Sequence, residues 1–175
     1  MTTRSLVDER TLTTARAIRT KLLARSTVER NLAGHCGLAS MLIADALGDV
    51  DIFRFGFFMR HETFFGKRGR YPNSHAWCQV GGAIIDVTAT QFGRFPAIHV
   101  ITATDTDRYV ECANGIRAVD EIMVAWWCNK EPECRKIYRR LRALDDGGRF
   151  VDPHRRGRHD AKARKEGHAE NFTRR

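Results

Sequence analysis

At 175 residues and 20.0 kDa, the chain has room for one domain and a tail. Its composition, 42% hydrophobic and 29% charged, excludes a fully disordered, collagen-like or membrane-spanning protein, and no apolar run approaches the roughly 18–20 residues that cross a bilayer. The net charge of +9 permits attraction to nucleic acid or another polyanion without saying which.

Apolar residues Leu12, Ala15, Ile18 and Leu22 recur at three- and four-residue steps, which predicts a helix over about 5–28. In NLAGHCGLASMLIADALG, Gly34 and Gly37 bracket Cys36, and Leu38, Leu42, Ile43, Ala46 and Leu47 set a second helical pattern that Gly48 is suited to stop. Cys36 therefore falls at or beside the first turn of a mostly apolar helix. DIFRFGFFM alternates, with Phe53, Phe55 and Phe57 on one face of a strand. RHETFFGKRGRYPNS reads as a polar, glycine-rich loop. HAWCQV and AIIDVTA flank Gly81-Gly82, a hairpin signal. IHVIT and RYVEC are further strands, and two helices close the body. One spans about Val119 to Cys128. The other starts near Pro132 and turns Cys134, Ile137, Tyr138, Leu141 and Leu144 inward.

This order gives an α+β domain over 1–144, a Cys-bearing helix near the N-terminus packed on an antiparallel sheet, with further helices toward the C-terminus. The segment 145–175 is rich in charge and poor in apolar residues, and reads as a basic, largely disordered tail. It holds nine Lys and Arg against six Asp and Glu, so the body is basic in its own right. The N-terminal residues carry charges throughout and no apolar core, unlike a secretory signal. Cysteines stand at 36, 78, 112, 128 and 134: odd in number, irregular in spacing and without a CxxC pair. Reduced thiols in a cytoplasmic protein fit that pattern, and no zinc-ligand spacing is present. Cys128 and Cys134 read as packing residues.

Cys36, His75 and Asp86 stand out together. A thiol is a good nucleophile as its thiolate, a form favoured by the positive end of a helix and by a nearby imidazole. With a Gly81-Gly82 turn, paired positions sum to about 163, so His75 lies opposite position 88 and Asp86 is one diagonal step away on the same face. Asp86 can then accept a hydrogen bond from one ring nitrogen of His75 and aim the other at Cys36, the logic of nucleophile, base and orienting carboxylate. Trp77 shares the face of His75, where it either shields the imidazole–carboxylate bond or fills the core. Cys78 points the other way. His35 either assists the Cys36 thiolate or, as its sequence neighbour at a helix start, points away from it.

GHCGLAS, SHAWCQV and AIIDVTATQFG resemble the Cys, His and Asp motifs of the transglutaminase-like branch of the papain-like cysteine enzymes, over about residues 30–95. That branch includes transglutaminases, arylamine N-acetyltransferases, peptide N-glycanases and many small bacterial and phage proteins. The resemblance implies a papain-like, transglutaminase-like fold, with Cys36 as nucleophile, His75 as general base and acid, and Asp86 orienting His75. It implies acyl chemistry through a thioester on Cys36, resolved by water or by an amine. The oxyanion would be met by the backbone N–H of Cys36 and one more donor. Asn31 is a candidate for that donor, or else caps a turn; Gln91 is a further polar group near the site, or else ends a strand.

The expected function is thiol-dependent hydrolysis or deamidation of a protein or peptide amide, with no metal or organic cofactor. One alternative is transfer of the acyl group to an amine. Another is a catalytically idle basic protein that binds nucleic acid or a protein partner. Arg60, Lys67, Arg68 and Arg70 interleave with Phe64, Phe65 and Tyr71 in the loop before His75. With Arg155, Arg156, Arg158, Lys162, Arg164 and Lys165 of the tail, they offer weak contact to a polyanion such as nucleic acid. No membrane association is expected.

Overall fold

A computed structural model describes residues 7–25, 32–64, 67–104, 107–116, 119, 123–124, 127 and 133–146. These residues form an α+β fold with three α-helices and a five-stranded antiparallel sheet. The helices are α1 (Glu9–Arg25), α2 (Cys36–Leu47) and α3 (Glu133–Asp145). The strands are β1 (Phe53–Phe64), β2 (Lys67–Val80), β3 (Ala83–Asp86), β4 (His99–Thr102) and β5 (Tyr109–Asn114), in the spatial order β4-β3-β2-β1-β5.

Helix α1 starts where the Asp8 carboxylate accepts the Thr11 N–H at 2.7 Å, an N-cap that satisfies one orphan donor. Its buried stripe of Thr11, Ala15, Ile18, Arg19 and Leu22 follows the expected periodicity. Helix α2 is apolar on nearly every side because it lies at the centre. It packs on β2 and against both α1 and α3. Gly48 closes it at φ 70°, a backbone position that favours glycine. Helix α3 turns Cys134, Ile137, Tyr138 and Leu141 inward, whereas Leu144, at the edge of a stripe that drifts by about 20° per heptad, is exposed. Ion pairs tie the helices together, Glu133 to Arg25 at 2.5 Å and Asp45 to Arg140.

The hairpin turn is the two-residue Gly81-Gly82 link, both glycines at positive φ (54° and 86°), as such turns require. Register follows from it: Val80 pairs Ala83, Gln79 pairs Ile84 and Cys78 pairs Ile85. The strand expected over 83–89 ends at Asp86, and Ala89–Phe92 forms a short 3-10 turn. The stretch 60–74, expected as a loop, is a correction. Apart from Phe65 and Gly66, it continues β1 and β2 as a ribbon paired from Met59↔Pro72 to Phe64↔Lys67. A hairpin with its register already set extends through backbone bonds alone, so this part needs no alternation of apolar residues.

Each sheet face has its own core. On one face Phe53, Ala76, Cys78 and Ile85 pack with the helices. On the other, Phe58, Trp77, Ile84 and Tyr109 pack under Phe92 and Phe95 of the β3–β4 connection. The helix expected over 119–128 and the tail lie largely or wholly outside the described residues, but Val119, Val124 and Trp127 are buried in the helix-side core. Trp127 rests on Gly37 so closely that a Cβ there would stand 2.3 Å from its ring. Gly37→Ala should therefore destabilise the fold by about 1–3 kcal/mol, read as a lowered urea midpoint. No helix among the described residues is long and apolar enough to cross a membrane.

Candidate active site

Cys36 is the first residue of α2. The chain reaches it through Gly34, at φ 79°, and through His35, which occupies the N-cap without offering a side-chain cap. The His35 ring instead contacts the Ala33 carbonyl at 3.2 Å. The first N–H groups of a helix have no partner within the helix. An uncapped, buried start therefore presents donors and the positive end of the helix dipole beside the Cys36 side chain.

His75 and Asp86 meet as the hairpin register requires. The Nε2 atom of His75 lies 2.6 Å from Oδ2 of Asp86. The carboxylate is otherwise fully occupied. Its Oδ1 accepts the Thr88 N–H at 2.7 Å and the Thr88 hydroxyl at 2.9 Å, and its Oδ2 also accepts the Tyr109 hydroxyl at 3.0 Å. Cys36, His75 and Asp86 are 4%, 0% and 2% exposed, so these interactions operate away from bulk water. Cys36 is near enough to add to the basicity of the imidazole. Nδ1, the remaining ring nitrogen, is buried and has no hydrogen-bond partner among the described residues.

Burial alone would make His75 less basic. The charge of Asp86 and its hydrogen bond outweigh burial, Cys36 adds to them, and the imidazole is pushed up to about 10. Burial likewise opposes ionisation of Asp86, but His75 and Thr88 hold its carboxyl below the usual range. The pair is thus imidazolium and carboxylate at neutral pH.

Trp77 is 1% exposed, with its ring 6.2 Å from that of His75 and nearly parallel to it. It walls the imidazole and fills the second core at once. Cys78 points to the helix side, donates to the Ser40 carbonyl at 3.4 Å and is pushed well above the ordinary thiol range by burial, so it is inert at neutral pH. Gln91 lies beside the Cys36 loop: its Oε1 accepts the Gly34 N–H at 3.4 Å, which leaves Nε2 buried and unpartnered among the described residues. Asn31 lies outside the described residues.

Several contributors escape a sequence reading. Tyr109 reaches Asp86 from β5 across the sheet. Phe58 and Phe92 enclose the imidazole edge-on, at 5.9 and 4.9 Å between ring centres. Arg19 of α1, 9% exposed, donates to the Val87 carbonyl and to the Thr88–Gln91 turn through the Thr90 hydroxyl at 3.3 Å, which clamps the segment linking Asp86 to Gln91. Only Thr88 leaves a local trace, since an Asp that bonds the backbone two residues on is a turn signature. Among the described residues no cluster of three or more His, Cys, Asp or Glu is placed to hold a metal ion. No protein-family model, curated protein or solved structure matches the chain.

Proposed function

We propose that the protein is a thiol-dependent amidase of papain-like, transglutaminase-like type, acting on a side-chain or backbone amide of a protein or peptide. The observation that carries this reading is the buried His75–Asp86 hydrogen bond, which commits Nε2 to the carboxylate and leaves Nδ1 unpartnered among the described residues, with Cys36 at an uncapped helix start near enough to raise the basicity of the imidazole. The motif resemblance around Cys36, His75 and Asp86 supports the same reading.

In this mechanism the Cys36 thiolate attacks the amide carbon, and the carbonyl electrons move to oxygen. The backbone N–H of Cys36 and the Nε2 of Gln91 receive that oxyanion. Collapse breaks the C–N bond, and His75 gives its proton to the departing nitrogen. Water then attacks the thioester and passes a proton to His75. The C–S bond breaks, and the carboxylic acid leaves with Cys36 and His75 restored. Asp86 holds the imidazole in one orientation and stabilises its charged form throughout.

Ammonia release from glutamine-containing peptides, with hydroxylamine to capture a thioester, tests the reading. Wild type should release ammonia and form a hydroxamate, and Cys36→Ala should do neither. Gln91→Glu keeps the acceptor for Gly34 but removes the donor, and should lower turnover by roughly 10²–10³-fold. Ammonia release by Cys36→Ala at the wild-type rate would refute the mechanism.

A further inference from the structure

The arm formed by β1 and β2 beyond the sheet has no part in the chemistry above. Pairing of β5 with β1 stops at Phe58↔Tyr109, and pairing of β3 with β2 stops at Cys78↔Ile85. From Met59↔Pro72 to Phe64↔Lys67 the two strands pair only with each other. Five residue steps at about 3.4 Å each make a ribbon roughly 17 Å long. A backbone bond from the Met59 N–H to the Arg108 carbonyl at 2.7 Å, and one from the Arg70 guanidinium to the Asp107 carbonyl, anchor its base on the start of β5.

The ribbon is basic on both faces. Register puts His61, Thr63, Arg68 and Arg70 on one face, around a cleft of about 700 Å³, and Arg60, Lys67 and Tyr71 on the other. Its single carboxylate, Glu62, is already paired with Arg60. Among the described residues Lys67 and Arg68 pair with no carboxylate, and Lys67, Arg68 and Arg70 are exposed.

We infer that this arm enters the major groove of double-stranded DNA and binds it through the phosphates, largely without regard to sequence. The fit is one of shape and charge. A major groove about 12 Å wide admits a two-stranded ribbon, and a row of cations with one neutralised acid complements its phosphate walls. Duplex RNA has a major groove too narrow for such an arm.

The test is fluorescence anisotropy of the full chain with a short labelled DNA duplex over a salt series. Wild type and a Lys67→Gln, Arg68→Gln, Arg70→Gln variant are compared, with a single strand and an RNA duplex as competitors. The inference expects preference for duplex DNA, and a slope of log affinity against log salt shallower by about 2–3 in the variant. Unchanged slope and affinity would overturn it and leave the charges as guards against edge-to-edge pairing. Preference for the single strand or the RNA duplex would overturn it equally. Should the triple variant aggregate, Lys67→Glu and Arg68→Glu measured singly must each weaken binding. Alkylation of Cys36 should be the same in wild type and arm variants, so this inference and the amidase reading fail separately.

Discussion

Glutamine in place of His75 is expected to cut turnover by roughly 10²–10⁴-fold, the range that a positioned proton donor and acceptor supplies. His75 is fully buried, and Asp86 depends on it for one of its four hydrogen bonds. Alanine would leave a buried carboxylate facing a cavity, at a cost of about 3–5 kcal/mol. Glutamine can still donate to Asp86, so it separates loss of proton transfer from loss of fold. A His75→Gln protein with a native circular dichroism spectrum and wild-type turnover would show that the imidazole takes no part in the reaction.

Asp86→Asn should produce the largest change in stability, on the order of 3–5 kcal/mol near pH 6, because it leaves a buried imidazolium without its counter-charge. The pH dependence has a definite sign. His75 is raised from 6.5 to about 10 on folding, so its contribution is full below pH 6.5 and is lost as pH rises through about 10. Asp86 is held below its ordinary 3.8, so its contribution is present above that value and is lost on acidification through the lowered one. The gap between wild type and Asp86→Asn should therefore be widest between about pH 4 and 6.5 and should narrow toward pH 10. Urea unfolding across that range reads it. A gap independent of pH would mean that the pair is not charged in the folded protein.

Part of this site is legible in the chain because it is local. Two glycines between β-rich runs fix a two-residue turn, the turn fixes the register, and the two-residue period of a strand turns Asp86 to the same face as His75. Cys36 is legible as the start of a helix because glycines precede an apolar repeat. Features that depend on distant pairing are not legible. Tyr109 arrives on β5, beside β1, past a register shift at Phe55/Gly56 that no local pattern announces. Trp127 settles on Gly37 from ninety residues away in the sequence. The ribbon from 59 to 72 carries polar residues on both faces because it faces solvent on both. A reading based on apolar alternation takes it for a loop, although backbone bonds carry it well beyond the sheet.

Competition among the thiols for an alkylating agent tests the reactivity of the Cys36 sulfur directly. Cys112 is exposed and Cys36 is buried, so accessibility alone would have iodoacetamide reach Cys112 first. With the native protein at pH 7 and peptide mapping of all five cysteines, the account predicts that Cys36 is alkylated fastest and that His75→Gln removes its advantage. Alkylation of Cys112 ahead of Cys36 in the wild type, or an unchanged Cys36 rate in His75→Gln, would contradict it.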